Sequence, residues 1–269
     1  MKKGFLNSAV LKNTAYITMF IDHFFAIVYR AMIRQCQIAG YETGGMEQIY
    51  TVGRAVGRIS FILFACLAVE GFGHTRSRSN YLFRLGAFAL VSEIPFDLAF
   101  SGSYFDPGSQ NVFFTLFLGV LALTIWEWAA DKASASAGIV RSVQVIALAS
   151  CCIAAYLLKT DYKYMGVLLI FVFYQIRGRK LPVQILMAGF VMLFGTWSMN
   201  CIRYAGYYSV RDLFWFSAQE LYGLFAFILI GVYNGEKGRQ LPKAFCYGFY
   251  PMHLLLLHCV SLLLAGVMK

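Results

Sequence analysis

The sequence predicts an all-α protein: a polytopic membrane helical bundle of about nine transmembrane helices, with its amino terminus in the cytoplasm. Three observations predict it. The chain is 59% hydrophobic and only 13% charged, with a mean hydropathy of +0.64, where an ordinary soluble domain carries roughly 25% charged residues. Apolar runs recur from end to end of the 269 residues, and no polar block between them is long enough to bury its own core, so one membrane domain over residues 1–269 is expected. The Lys and Arg residues behind the net charge of +10 fall in short segments between the runs, which reads as positive-inside topology. They form no aromatic-basic platform, so no nucleic-acid partner is expected.

Cutting where polar, Gly, Pro and basic residues cluster places spans at 12–34, 51–72, 81–100, 111–130, 141–158, 164–176, 182–200, 217–233 and 246–266. The segment 164–176 is short for a hydrocarbon core of ~30 Å, so the count ranges over about eight to ten. Met1-Lys2-Lys3 is basic like a signal peptide, but the run behind it is too long, contains Asp22-His23 and lacks a small-x-small cleavage site. It is expected to stay as the first span. The linkers HTRSRSN (74–80), ADKASASAG (130–138), RGRK (177–180) and NGEKGRQLPK (234–243) are basic or mixed and alternate with less basic ones. They are placed in the cytoplasm, and the carboxyl terminus outside. The seven cysteines include no C-x-x-C and read as packing residues. Gly53 and Gly57 form a G-x-x-x-G that lets the second helix approach a neighbour closely.

Against this apolar background the ionisable residues stand out. Asp22 and His23 lie at the centre of the first span, near the bilayer midplane, where such groups are retained for chemistry, ion passage or a buried pairing partner. Lys12 and His23 are eleven positions apart, which at about 100° per residue returns to within ~20° of one helical face. His23 is suited to moving protons near neutrality; the alternative is a core histidine hydrogen-bonded across helices. Asp22 points about 100° away and serves either the imidazole or a structural salt bridge. Arg54 and Arg58 share a face of the second span at i, i+4, with Arg54 the more suited to snorkelling and Arg58 deeper. In the third span Glu93 and Asp97 share a face around Pro95, and Glu93 is the expected partner of Arg58 or His23. Asn111 and Thr115, one turn apart, either orient a substrate or satisfy each other. His253, beside Pro251 in the last span, lies at a depth comparable with His23. No compact spacing suggests zinc, and the histidine array does not suit haem, so neither is expected.

The segments LKNTAYITMFIDH (11–23), GRISFILFACLAVEGFGHTRSRSNYLFRLGAFALVSEIPFDLAF (57–100), NVFFTLFLG (111–119) and FYPMHLLLL (249–257) resemble the TraX family, named for the pilin acetylation protein of conjugative plasmids. More faintly, the chain resembles the acyltransferase-3 group, whose first helix carries a basic residue, ten residues, then a catalytic histidine. Lys12 and His23 stand in that relation, with Lys in place of the usual Arg, and Glu70 stands where Ser is common.

The resemblance implies an integral-membrane O- or N-acetyltransferase of the bacterial cytoplasmic membrane. Acetyl-CoA would be the donor, and a protein amino terminus, a sugar or a small molecule the acceptor, with lipid as the surrounding partner. On that reading His23 is the general base or carries an acetyl group, Asp22 or Glu93 orients it, and Arg58 or Asn111 stabilises the oxyanion. Lys12, Arg76, Arg78 and Arg84 attract the CoA phosphates, while Asn111, His253, Arg54 and Asp97 line the acceptor side. The rivals are a proton-coupled transporter with Asp22, His23, Glu93 and Arg58 as a relay, and a non-catalytic assembly factor for a surface appendage.

Overall fold

The computed structural model describes residues 4–132 and 136–267. Lys2, Lys3 and residues 133–135 of the 130–138 linker therefore lie outside the described residues. About 80% of the described residues are helical, and their helices form nine rods. The first joins α1 (Ser8–His23), a π-helical turn (Phe24–Tyr29) and α2 (Arg30–Ile38). It is followed by α3 (Gly44–His74), α4 (Arg78–Ser101), α5 (Val112–Ala130), α6 (Ala137–Leu157), α7 (Lys163–Gln175) and α8 (Leu181–Arg203). The eighth rod joins α9 (Val210–Ala218), a 3₁₀ segment (Gln219–Phe225) and α10 (Ala226–Gly231), and α11 (Lys243–Val267) completes the chain.

Seven rods are long and apolar enough to cross a membrane. Of the other two, α4 carries Arg78, Arg84, Glu93 and Asp97 within its 24 residues. The 13 residues of α7 reach only about 20 Å at 1.5 Å per residue, short of a ~30 Å core. Pro95 and Pro251 sit inside α4 and α11, which continue on both sides of them. All seven cysteines are free thiols, and Cys151 is buried.

By contact the chain divides into two compact units. The first comprises residues 1–64, 94–105 and 219–269. Here α1 and the π turn pack on α11, around a core that includes Leu11, Ala15, Ile27, Val28, Ile62, Leu63, Phe227 and Leu254. Its start is tied down by backbone bonds: Leu6 N–H donates to Val232 O (3.1 Å), Ser8 N–H to Glu236 O (2.8 Å) and Ala9 N–H to Lys237 O (3.2 Å). Amide groups that a helix start leaves without intrahelical partners are thus satisfied by the 232–237 loop, with Asn7 Oδ1 accepting from the Ala9 and Val10 amides. The contact holds the residues before the first rod beside those after the eighth, as an even number of crossings between them requires.

The second unit comprises residues 65–93 and 106–218. In it α5, α6 and α7 pack together, with α7 on α8 and α8 on α9. Leu118, Ala122, Cys151, Ala155 and Val167 form one of its cores. Asn111 caps α5 and Ser136 caps α6, each accepting a backbone N–H with its side-chain oxygen.

Candidate functional site

The imidazole of His23 is the last residue of α1 before the π turn, an interruption that recurs at functional sites because it re-aims side chains along a helix. Only 7% of the residue is exposed. Its Nδ1 lies 2.6 Å from Nε2 of His253, whose own Nδ1 is 2.7 Å from the carbonyl oxygen of Phe249. The two imidazoles are nearly parallel, with an interplanar angle of 14°, and Tyr250 and Phe100 present their edges to His23. Two histidines 230 positions apart therefore share one apolar, aromatic enclosure. Lys12, on the same face of α1, donates to Gln240 Oε1 at 2.6 Å. Both ends of that face thus meet the stretch running from Gln240 into α11.

Asp22 turns away from the imidazole to α3. Its Oδ2 is 2.8 Å from Arg54 Nη1, which also reaches the Asp22 carbonyl oxygen at 3.3 Å. The approach is possible because α3 has glycine at two points on the facing surface. A Cβ at Gly53 would collide with the ring of Phe25, and one at Gly57 with the carboxylate of Asp22. The G-x-x-x-G seen in the sequence is thus a notch for one aromatic ring and one carboxylate. Asp22 Oδ1 is buried and has no hydrogen-bond partner among the described residues.

Arg58, one turn from Arg54, pairs with Glu220 at 3.2 Å. A cavity of about 200 Å³, bounded by Tyr50, Thr51, Arg54, Arg58, Gln219 and Tyr222, opens beside these ion pairs. Its walls carry guanidinium, hydroxyl and amide donors, so it favours a ligand rich in acceptor oxygen atoms. Asp97 is 1% exposed, and its carbonyl oxygen accepts from Ser101 Oγ at 2.8 Å. Glu220 and Gln240 played no part in the sequence reading. Glu220 satisfies the criterion that singled out Asp22, an ionisable residue within an apolar span; Gln240 carries no comparable signal.

The remaining candidates lie in the second unit. Asn111 is fully buried; its Oδ1 caps α5 through the Phe113 amide (3.0 Å), and its Nδ2 donates to Ala89 O (2.7 Å) and to Glu93. That amide ties α5 to α4. Thr115 does not bond to Asn111; it meets Thr160 Oγ1 at 3.0 Å and the Asp161 carbonyl. Asn111→Ala, which removes a buried cap and leaves the Ala89 carbonyl and Glu93 without that donor, is expected to cost about 1–3 kcal/mol. The check is a lower thermal unfolding midpoint in detergent. Arg78 is bonded to Glu127, which also accepts from Tyr174 Oη at 2.7 Å, and it stacks on Phe72 with 5.0 Å to the ring centroid. Arg76 and Arg84 are exposed, with Arg84 5.9 Å from the Tyr81 ring centroid. Among the described residues no group of three or more His, Cys, Asp or Glu gathers to hold a metal.

Long apolar rods that bury ion pairs and a histidine pair define a multi-pass helical membrane protein. The chain matches the family described as TraX protein over residues 7–261, nearly its whole length. It belongs to the TraX family. No curated protein and no solved structure matches it. Membership suggests a function related to pilin acetylation.

Proposed function

We propose that this protein is an acetyltransferase of the bacterial cytoplasmic membrane that moves an acetyl group from cytoplasmic acetyl-CoA to an amine or hydroxyl acceptor, with His23 as the general base. The observation that carries the reading is the placement of His23: a buried imidazole at the α-to-π junction of the first span, held by a second histidine. Lys12 lies three turns away on the same face, about 16 Å along the helix. It is joined at that end by the exposed Lys237 and Arg239, cations suited to the phosphates of CoA.

In the reaction the acceptor nitrogen or oxygen attacks the thioester carbonyl. The new N–C or O–C bond forms, the C–S bond breaks, and the acceptor proton passes to His23 and from there to the departing thiolate. Arg58 is the proposed donor to the developing oxyanion, and the cavity beside Arg54 and Arg58 receives an oxygen-rich portion of the acceptor. An envelope glycan fits that description, and a pilin amino terminus fits it only through the carbonyl oxygens of the peptide units that follow its amine. Mass spectrometry of envelope material from cells with and without the gene tests the proposal. The expected result is an acetylated amine or hydroxyl that is lost in His23→Ala cells whose variant still reaches the membrane. Identical envelopes in all three would overturn it.

A further inference from the structure

The hydrogen bonds of the histidine pair have only one direction that keeps both rings neutral. A backbone carbonyl oxygen accepts and never donates, so His253 Nδ1, 2.7 Å from Phe249 O, carries a hydrogen. A neutral imidazole carries one ring hydrogen, which leaves His253 Nε2 as a lone pair. His23 Nδ1 stands 2.6 Å from that lone pair and must be the donor. The hydrogen of His23 is then on Nδ1, and Nε2 is its basic nitrogen. The opposite direction requires His253 to carry a positive charge. His253 is 4% exposed, surrounded by Phe20, Phe249 and Tyr250, and among the described residues neither imidazole bonds to a carboxylate. A cation there would be buried among aromatic rings at membrane depth without a carboxylate bonded to it.

We infer that His253 is a positioning residue: anchored on the Phe249 carbonyl, it holds His23 as the Nδ1–H tautomer and leaves Nε2 as the nitrogen that takes the acceptor proton. It does for His23 what a buried carboxylate does for the histidine of a hydrolase triad, orienting the ring and fixing the tautomer. Unlike a carboxylate, it adds no charge to the apolar enclosure. In the transfer, Nε2 gains the acceptor proton, the imidazolium keeps its Nδ1–H bond to His253, and Nε2 then releases the proton to the CoA thiolate. The catalytic part rests on the proposed acetyl transfer, whereas the tautomer follows from the hydrogen bonds alone, so the two are tested separately.

The test uses the full chain in lipid nanodiscs, with ring-¹⁵N-labelled histidine and His74→Gln and His258→Gln in the background so that only two imidazoles contribute. The expected spectrum shows two neutral rings, each protonated at Nδ1 and bare at Nε2. In His253→Leu, which offers His23 no acceptor, the Nδ1–H form of His23 gives way to the Nε2–H form, whereas the amide oxygen of His253→Gln accepts from Nδ1–H and preserves it. A wild-type His23 protonated at Nε2, or one that stays Nδ1–H in His253→Leu, would overturn the inference. In a transfer assay His253→Leu is expected to lower kcat by about 10²-fold or more while the KM for acetyl-CoA stays within about twofold, and His253→Gln to recover part of that loss. A loss through KM alone would assign His253 to donor binding. Absence of transfer in the wild type would overturn the proposed function and leave the tautomer measurement decisive on its own.

Discussion

Replacing Arg54 by alanine is expected to destabilise the first compact unit by about 3–5 kcal/mol, the cost of leaving a buried charge without its partner. Asp22 is held 2.8 Å from Arg54, with side-chain exposures of 14% and 25%, and its second carboxylate oxygen is already buried without a hydrogen bond. Its carboxylate also fills the notch at Gly57, so it has little room to turn toward water. The pair Asp22→Asn with Arg54→Met removes both charges, keeps most of the volume and is expected to recover the greater part of the loss, because a buried ion pair contributes little beyond what its two halves cost when separated. Thermal unfolding of the single and double variants in detergent measures this. An Arg54→Ala midpoint equal to that of the wild type would show that the ion pair does not hold α1 against α3.

The second large effect is on turnover. His23→Ala is expected to lower the rate of acetyl transfer by about 10²–10⁴-fold, the usual contribution of a positioned general base, with unfolding close to that of the wild type apart from the loss of one buried ring. His23→Asn, which restores a hydrogen-bond donor toward His253 but offers no basic nitrogen, is expected to recover stability and not activity. Single-turnover kinetics with trapped intermediates adds a chemical distinction: acetyl accumulating on His23 before reaching acceptor marks a covalent route, and its absence marks direct transfer.

The rods were legible because a bilayer of ~30 Å demands about 20 apolar residues in a row, a signal that composition alone carries. Their ends were not. The helix expected at 51–72 runs from Gly44 to His74, since the polar turn at Glu47–Gln48 continues the helix where the hydropathy has already fallen. The π turn at Phe24–Tyr29 and the 3₁₀ segment at Gln219–Phe225 leave no trace in hydropathy, because they change backbone hydrogen bonding and leave the residue types untouched. Lys12 and His23 were placed on one face by helical geometry, and both meet the Gln240-to-α11 stretch. Helical periodicity relates residues on one rod, however, and says nothing about partners on another. His253 was therefore visible as a buried histidine but not as the partner of His23, and Arg58 was read without Glu220. The position of Asn111 immediately before an apolar run is also the signature of a helix cap, and its Oδ1 performs that task for α5.

The central claim is that this TraX-family protein transfers acetyl from acetyl-CoA through His23. Its most direct measurement is turnover of acetyl-labelled acetyl-CoA by the purified wild-type protein and by His23→Ala in nanodiscs with amine and hydroxyl acceptors. The expected result is label on the acceptor, one CoA thiol released per acetyl transferred, and loss of both in the folded variant. No binding of acetyl-CoA and no turnover with any acceptor, with substrate-dependent proton flux appearing instead in liposomes, would contradict it.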